Sequence, residues 1–357
     1  MLTKDQSERI LKISLMIKKV LRKKDLSRGE CRKFMEYILN GYGYKTNQSS
    51  LGAFLAGLYM KGVKVEEVIG LLEAIGTFKK FKELKIKNKR VVSAVGSGKD
   101  EFKTFNITTV ASFIAAGSGI PVAKVGCSAE TSTVGTIDVL KELGINTNAS
   151  FSVMFRSLRD NCFGFFNPKL RLNNLFKHYI GKVNFFNPLE YGLGIYTGIR
   201  VEHILFGISD LNTEISAKLL RYHGFKHSLV VCGLSNKGLL FDELSTLNKS
   251  KVSEVKNKKI DTYFVYPEMF GIKRGKDKEV CQPRNVKEGA KIVMNILSNR
   301  DKTSRRDISL LNAAALIYIG GKSKDLKDAF EIAKNSLEEG KALEVLKRVR
   351  EYSYEKF

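Results

Sequence analysis

The chain has 357 residues, of which 43% are hydrophobic and 27% charged, a composition typical of a globular protein long enough for two domains. Its 61 Lys and Arg residues against 37 Asp and Glu give a formal net charge of +24, which predicts attraction to polyanions such as nucleic acid or phosphorylated substrates. No apolar run reaches membrane-spanning length and the sequence opens without a secretory signal pattern, so we expect a cytoplasmic protein with no membrane contact.

The spacing of cysteine and histidine argues against the common metal centres. The five cysteines include no Cys-x-x-Cys pair, and the four histidines include no His-Glu-x-x-His spacing. We therefore expect reduced thiols and no zinc site.

The first 78 residues have the periodicity of helices. Apolar residues recur at helical spacing over residues 11–21, 31–39, 51–60 and 65–75, and Ser27 suits a helix N-cap. A basic run over residues 79–90 follows, and the pattern changes after it. We interpret this run as a hinge or linker between two parts of the chain.

From Val91 onward, short apolar strands alternate with helices. We predict strands over residues 91–95, 122–125, 151–155, 203–208 and 228–232, and helices from Thr108 and over residues 137–143, 307–319 and 325–335. This alternation predicts an α/β fold with a mostly parallel central sheet flanked by helices. Ligands of such sheets bind at the carboxyl ends of the strands.

Two polar loops follow predicted strands at these ends. The first covers residues 96–100 (Gly-Ser-Gly-Lys-Asp) and leads through residues 104–109 into a helix, and the second covers residues 124–136 with one lysine and five hydroxyls. Glycines that admit an anion, backbone N–H groups at a helix start and hydroxyl donors together form phosphate sites. Each loop alone could be an ordinary turn or surface loop, but two in succession favour phosphate binding.

A third element is the adjacent carboxylate pair Asp242 and Glu243, which follows a predicted strand. Mg²⁺ is commonly held by one or two carboxylates together with substrate phosphates. A solvated or ion-paired acidic pair is the alternative.

In this order, the motifs resemble the anthranilate phosphoribosyltransferase family, which belongs to the pentosyltransferases together with the pyrimidine-nucleoside phosphorylases. The resemblance covers nearly the whole chain. It is carried by residues 96–100 with 104–109, 124–128 with 135–144, 230–233 with 241–244, 267–271 and 306–315.

The resemblance implies a small N-terminal all-helical domain over residues 1–84, joined by a returning segment at about 170–195, and an α/β domain over residues 85–357. It also implies the donor phosphoribosyl pyrophosphate, with Mg²⁺ held by Thr108, Asp242 and Glu243. The residues implied to bind the donor are Gly96, Asp100, Thr104, Asn106, Thr108, Thr109, Lys124, Ser132 and Thr136. No residue is assigned as a catalytic acid or base.

The acceptor side departs from the family pattern. Val125, Cys127 and Ser128 stand where the family has His, Asn and Arg, and Lys177 stands where it has the arginine that grips the anthranilate carboxylate. Lys99 replaces a glycine beside the pyrophosphate region. Our hypothesis is therefore a phosphoribosyltransferase-like enzyme that transfers ribose 5-phosphate to a nitrogen acceptor other than anthranilate and releases pyrophosphate.

Two alternatives remain at this point. The net charge, the basic run and Lys99 fit a basic paralogue that binds nucleic acid non-specifically without catalysis. A nucleoside phosphorylase is the second alternative, although the Asp242 and Glu243 pair favours a transferase. We also expect a homodimer.

Overall fold

The computed structural model describes residues 4–40, 47–76, 80–129, 132–170, 172, 179 and 182–355. Its helices are α1 (Lys4–Leu21), α2 (Arg28–Leu39), α3 (Asn47–Lys61), α4 (Val65–Ile75), α5 (Ile107–Gly117), α6 (Thr136–Glu142), α7 (Phe151–Asn161), α8 (Thr213–Tyr222), α9 (Asp277–Val280), α10 (Val286–Leu297), α11 (Ser304–Ile319), α12 (Leu326–Glu338) and α13 (Lys341–Tyr352). Its strands are β1 (Lys82–Glu83), β2 (Val92–Gly96), β3 (Val122–Val125), β4 (Phe163–Phe166), β5 (Ile199–Arg200), β6 (His203–Gly207), β7 (His227–Leu234), β8 (Leu240–Phe241), β9 (Ser250–Lys256) and β10 (Lys259–Val265).

Helices α1 to α4 form the small N-terminal helical domain. Ser27 caps α2 through a reciprocal pair of hydrogen bonds with Glu30, as its position before the apolar residues predicts. Buried Glu67 accepts hydrogen bonds from the Leu26 backbone N–H at 2.8 Å and from the Lys61 ammonium at 2.7 Å. The carboxylate therefore ties α4 to the turn before α2 and to the end of α3, so the helical prediction for this part is confirmed.

The main sheet of the second part has the strand order β10-β9-β7-β6-β2-β3-β4, and β8 pairs with β7. The five strands from β4 to β7 in this order run parallel, whereas β9 and β10 form an antiparallel hairpin at one edge. The prediction of a mostly parallel sheet with helices is therefore confirmed. Strands β2 and β3, which lead into the two polar loops, end at the same edge of the sheet as β6 and β7.

Helix α5 carries the first polar loop into the core. Residues 109–116 of this helix are buried, and α5 packs against α11, α12 and α13. Residues 308–317 of α11 are also buried, so α11 lies inside the α/β domain and not on its surface. Packing on several sides fixes the orientation of α5 and thereby the position of its N-terminus.

The strand predicted over residues 151–155 is wrong, because this segment begins helix α7. Ser150 caps the helix by accepting a hydrogen bond from the Val153 N–H at 3.3 Å. The buried residues Val153, Met154, Ser157 and Leu158 follow helical spacing. The strand lies one element later, at β4, whose four residues are all buried.

Two elements connect the helical domain to the rest of the chain. Strand β1 pairs in parallel with β5, and a 3₁₀ turn over Pro188–Tyr191 packs against α3 and α4. The boundary between residues 84 and 85 stays a prediction. Among the described residues, none of the helices is long and apolar enough to cross a membrane.

Candidate functional site

A cavity of about 230 Å³ lies at the carboxyl ends of the parallel strands. It collects side chains from both polar loops, from the carboxylate pair and from the segment that returns to the helical domain. The predicted site residues that line it are Gly96, Asp100, Thr104, Asn106, Thr108, Lys124, Val125, Cys127, Ser132, Thr136, Asp242 and Glu243. Residues far apart in the sequence thus share one site, as expected for a sheet of this type.

Strands β2 and β6 both end in glycine because Asp242 occupies the space beside them. Gly96 and Gly207 are cross-strand partners. A Cβ atom on Gly96 would lie 2.5 Å from Asp242 Oδ2, and one on Gly207 would lie 1.7 Å from the Asp242 carbonyl oxygen. Both distances are far inside van der Waals contact. Only glycine fits at Gly207, where the clash is with backbone, whereas a Cβ at Gly96 would push the Asp242 carboxylate aside.

The first loop turns at Gly98, whose φ of 67° is a backbone conformation that favours glycine. The Gly98 N–H donates a hydrogen bond of 2.8 Å to Asp242 Oδ2, and Ser97 Oγ lies 3.2 Å from the same oxygen. The loop predicted to bind an anion therefore donates hydrogen bonds to a carboxylate of the same chain.

Helix α5 directs its N-terminus into the cavity. Its N-cap residue is Asn106, whose side chain makes no capping hydrogen bond. The N-terminus of a helix carries partial positive charge and unpaired N–H groups, which favour a phosphate. Thr108 lines the cavity, whereas Thr109 is fully buried, lies outside the cavity wall and has a hydroxyl without a hydrogen-bond partner. Neighbouring residues of a helix point about 100° apart, so the two threonines face different surroundings.

The second loop folds closely on itself. A Cβ on Gly126 would lie 2.6 Å from Thr136 Cβ, and one on Gly135 would lie 2.2 Å from the Ala129 backbone nitrogen. Glycine at these positions brings the start of α6 against the end of β3. This loop, which carries Ser132 and Thr136, lines the same cavity as the first loop.

Lys124 supplies a cation from inside the cavity wall. Only 2% of its surface is exposed, and its Nζ donates hydrogen bonds to the carbonyls of Ala94 at 3.2 Å and Val125 at 2.8 Å. Burial lowers the pKa of Lys124 to about 8, and the nearby Asp242 and Glu243 oppose this shift. The ammonium is therefore set toward the acidic side of the cavity.

Three carboxyl groups meet on that acidic side, of which Asp242 and Glu243 are buried and Asp100 is half-buried. Asp100 Oδ1 accepts hydrogen bonds from Ser209 Oγ at 2.5 Å and from the Asp242 N–H at 3.0 Å. Burial, and then the charge of Asp242, raise the pKa of Asp100 to about 8. Burial also raises the pKa of Glu243 well above its usual value, and Asp242 and Asp100 add to this effect. Like charges at close range disfavour ionisation, so the group is suited to receive a cation.

The acidic group alone does not form a closed metal site. Among the described residues, no cluster of three or more His, Cys, Asp or Glu side chains is arranged to hold a metal ion. Glu243 Oε2 is buried and has no hydrogen-bond partner. An orphaned carboxylate oxygen on a cavity wall fits an Mg²⁺ ion whose remaining ligands come from a substrate and water.

Two of the predicted acceptor residues belong to the second loop. Val125 and Cys127 line the cavity, whereas Lys177 lies outside the described residues. The sequence interpretation missed Ser209, which holds Asp100, and Glu190, which lines the cavity from the returning segment. Ser209 lies two residues after the end of β6 and directly after the strand predicted over residues 203–208, and this position was the signal that could have identified it.

Comparisons with known proteins agree with this architecture. The family model described as "Glycosyl transferase family, a/b domain" matches residues 88–343, and the model described as "Glycosyl transferase family, helical bundle domain" matches residues 15–76. Together they cover both parts of the chain, in the order in which the structure places them.

Individual relatives match along almost the full length. Anthranilate phosphoribosyltransferase of Thermoanaerobacter sp. (strain X514) is 34% identical over 342 residues, covering 94% of this chain and 97% of the relative. The structure of anthranilate phosphoribosyltransferase from Thermus thermophilus superposes with a TM-score of 0.80 at 23% identity, covering 95% of this chain and 99% of the other. The Saccharomyces cerevisiae enzyme in complex with PRPP and Mg gives a TM-score of 0.77 at 22% identity, covering 96% and 97%. The chain therefore belongs to the glycosyl transferase family, as an enzyme of the pentosyltransferase type related to the anthranilate phosphoribosyltransferases.

Proposed function

We propose that this protein transfers ribose 5-phosphate from phosphoribosyl pyrophosphate to a nitrogen acceptor other than anthranilate and releases pyrophosphate. One observation carries the proposal: two phosphate-type loops and a buried carboxylate pair share a cavity, and Val125 and Cys127 line it at positions where the family resemblance leads us to expect polar side chains. The S. cerevisiae relative in complex with PRPP and Mg supports the choice of donor.

The donor would lie across the two loops. We assign its phosphates to Gly96, Thr104, Asn106 and Thr108 of the first loop and of the start of α5, where N–H and O–H donors face the cavity. Lys124, Ser132 and Thr136 of the second loop would also bind the donor. Asp100 would accept a hydrogen bond from a ribose hydroxyl. Thr109 would act indirectly, because it lies behind Thr108 and outside the cavity wall.

We assign the Mg²⁺ ligands to Thr108, Asp242 and Glu243. The two carboxylates provide hard oxygen ligands, and the unpartnered Glu243 Oε2 is the atom that most needs a cation. When bound, Mg²⁺ would neutralise charge on the leaving pyrophosphate. Lys124 would add a fixed positive charge on the same side.

The chemistry needs positioning more than proton transfer. When pyrophosphate leaves C1 of the ribose, the sugar becomes cationic, and buried donors that already point at the phosphates stabilise the departing charge. The cavity wall would hold the acceptor nitrogen against C1 and exclude water. This role agrees with the lack of an assigned acid or base.

The acceptor assignment rests on the weak hydrogen-bonding capacity of Val125 and Cys127. Valine offers no hydrogen bond, and a thiol is a weak donor and acceptor, so neither replaces the His and Asn of the family pattern. Each hydrogen bond lost from a buried acceptor costs about 1–3 kcal/mol. Lys177, outside the described residues, would complete this side as a monodentate cation in place of an arginine fork.

Two assays test the proposal. Phosphoribosyl pyrophosphate with Mg²⁺ should raise the melting temperature, since a ligand at about 100 times its Kd adds about 2.7 kcal/mol to the folded state. Replacing Mg²⁺ by EDTA should reduce the shift. Pyrophosphate release should stay near background when anthranilate is the acceptor.

The two assays test different parts of the proposal. No melting shift with millimolar donor and Mg²⁺ would refute the transferase proposal as a whole. Efficient turnover of anthranilate would refute only the acceptor assignment. The variant Asp261→Asn, on the exposed side of β10, is a matched control for changes at Asp242 because it removes the same charge far from the cavity.

A homodimer is part of this proposal. Leu11, Leu15 and Leu21 of α1 are 58%, 54% and 64% exposed, and a second copy packed on α1 would bury them. Light scattering should then give twice the monomer mass, and Leu11→Asp with Leu15→Asp should give the monomer.

Non-specific nucleic-acid binding stays an additional prediction. Its basis is the basic run, whose six described basic side chains, Lys80, Lys82, Lys85, Lys87, Lys89 and Arg90, are exposed. None of them lines the cavity. Such binding would therefore use a surface separate from the proposed donor site.

A further inference from the structure

The loop over residues 208–212 links the helical domain to the candidate site. It follows β6 at the carboxyl edge of the sheet, and its adjacent residues Ser209 and Asp210 are 4% and 5% exposed. Ser209 Oγ donates a hydrogen bond of 2.5 Å to Asp100 Oδ1 in the cavity wall. Asp210 Oδ2 accepts one of 2.6 Å from the hydroxyl of Tyr59, which lies in α3 of the helical domain. Two adjacent side chains therefore contact the cavity wall and the other domain.

Asp210 fixes the shape of this loop. Its Oδ1 accepts a hydrogen bond of 2.7 Å from the Asn212 N–H, so the side chain closes a turn just before α8 begins. Burial, and then Asp210, raise the pKa of Tyr59 and of Tyr191, so both phenols keep the proton that they can donate to this carboxylate. A buried carboxylate is costly to leave without partners, so these hydrogen bonds hold the loop in one position.

The position of this loop determines how Asp100 is held. Asp100 Oδ1 accepts from Ser209 Oγ and, at 3.0 Å, from the Asp242 N–H. Two donors on one oxygen fix the rotation of the carboxyl group, and a shift of about 1 Å in the loop would break the shorter hydrogen bond. Tyr59, Ser209 and Asp210 themselves lie outside the cavity wall. Their effect on a bound donor therefore passes through Asp100.

We propose that Asp210 is a positioning residue for donor binding, which transmits the placement of the helical domain to Asp100. The hydrogen bond from Tyr59 holds Asp210 and the loop in place. Ser209 of this loop then orients the Asp100 carboxyl group, which we assign to a ribose hydroxyl. This inference rests on the proposed function, because Asp100 belongs to the proposed donor site. It makes the attachment of the helical domain a determinant of donor affinity.

A double-mutant cycle tests this route, with the affinity for phosphoribosyl pyrophosphate and Mg²⁺ measured by calorimetric titration of the whole chain. Tyr59→Phe removes one hydroxyl and keeps the ring, so it should weaken donor binding about fivefold, the equivalent of one neutral hydrogen bond. Ser209→Ala should weaken it about tenfold. The double variant should bind within about twofold of Ser209→Ala, because two groups that act through one series of contacts do not have additive effects.

Two results of this cycle would overturn the proposal. Losses that multiply to about fiftyfold in the double variant would show that Tyr59 and Ser209 act independently, as separate structural roles would. Unchanged donor affinity in Tyr59→Phe would show that the contact with the helical domain does not reach the site.

Tyr222→Phe is the matched control. Arg28 Nη2 donates a hydrogen bond of 2.6 Å to Tyr222 Oη, so this hydroxyl also joins the helical domain, through α2, to the α/β domain, through α8. Tyr222 is 50% exposed and lies outside the cavity wall. This variant should keep the donor affinity within about twofold. A loss equal to that of Tyr59→Phe would show that any contact between the domains has this effect, and would overturn the role of Asp210.

Asp210→Asn separates position from charge. The asparagine oxygen can accept from the Asn212 N–H, and the amide can donate to the Tyr59 oxygen. Donor affinity should therefore stay within about threefold, whereas Asp210→Ala should lower it about tenfold. An equal loss in both variants would show that the charge acts and not the placement of the loop, against the proposal. If Asp210→Ala does not fold, the cycle of Tyr59 and Ser209 decides.

The unmodified chain separates this inference from the proposed function. If it binds the donor and none of the variants differs from it, the transferase proposal stands and the positioning role of Asp210 fails. If it does not bind the donor at millimolar concentration, the proposed function fails and this inference fails with it.

Discussion

The backbone N–H of Gly98 donates a hydrogen bond of 2.8 Å to the carboxylate of Asp242, which lies 144 residues later in the sequence. The bond joins the first polar loop to the carboxylate pair at the edge of the sheet. A phosphate that binds the same N–H would compete with Asp242. Donor binding and the position of the carboxylate are therefore linked through one hydrogen-bond donor.

Asp242→Asn should stabilise the free protein while weakening donor binding. Asparagine can still accept from the Gly98 N–H, and it removes a charge that raises the pKa of Asp100 and of Glu243. We expect a gain of about 1 kcal/mol in the free energy of unfolding, since one pKa unit corresponds to about 1.4 kcal/mol. The Mg²⁺-dependent melting shift with donor should be lost. Asp261→Asn should change neither quantity, and a destabilised Asp242→Asn would contradict this account.

Gly207→Ala should be strongly destabilising. Its Cβ would lie 1.7 Å from the Asp242 carbonyl oxygen and 2.6 Å from the Asp242 carbonyl carbon, and these backbone atoms cannot move away as the end of a flexible side chain could. We expect a loss of about 2–4 kcal/mol in urea denaturation. Gly52→Ala is the control, because Gly52 lies within α3 with no atom within 4 Å of the added Cβ. That change should stabilise by about 0.5–1 kcal/mol, since alanine favours a helix.

His203 should make stability depend on pH. Burial, and then the charge of Arg90, lower the pKa of His203 to about 4 from its usual value of 6.5. Between these values the unfolded chain binds more protons than the folded one, so stability is complete above about pH 6.5 and falls as the pH drops toward 4. At about pH 5, His203 should lower the free energy of unfolding by about 2 kcal/mol.

Urea denaturation at neutral and acidic pH measures this effect. His203→Gln cannot take up the proton, so its stability should fall less than that of the unmodified chain over the same interval. His223, whose pKa burial also lowers to about 4, should behave in the same way. An identical pH dependence in the His203→Gln variant would show that His203 does not contribute.

The basic run should bind nucleic acid through charge alone. In the unmodified chain, the affinity for duplex DNA should not depend on sequence and should fall by about 0.9 log unit per phosphate contact for each tenfold rise in salt. Changing Lys80, Lys82, Lys85 and Lys87 to Glu should abolish this binding. The melting shift with donor should remain, because these lysines lie outside the cavity wall.

A charge-matched variant decides whether the position of the charges matters. Lys287, Lys291, Lys324 and Lys327 are also exposed and lie outside the cavity wall. Changing these four to Glu removes the same charge and should leave most DNA binding. Equal losses in both variants would show that net charge, not the run, attracts DNA. Loss of donor binding in the first variant would instead mean that DNA occupies the cavity.

Local patterns sufficed for much of the fold. Apolar residues at helical spacing and the Ser27 cap predicted the N-terminal helices, and the alternation after Val91 predicted the parallel sheet. The strand predicted from Phe151 to Phe155 was wrong, because a short, mostly apolar run suits a strand or a helix equally when viewed alone. Ser150 as an N-cap and the buried positions through Leu158 decide for the helix.

The sequence by itself determined which groups could bind phosphate, since glycines, hydroxyls and the start of α5 are local properties of the chain. Only the tertiary structure decided which of these groups lie together in one site. It set Asp242 against Gly96, Gly98 and Gly207 from more than one strand, buried Lys124, and brought Glu190 into the wall from the returning segment. These relationships depend on which strand ends become neighbours in the sheet, and parallel strands place residues of distant sequence position side by side. No local pattern encodes that adjacency.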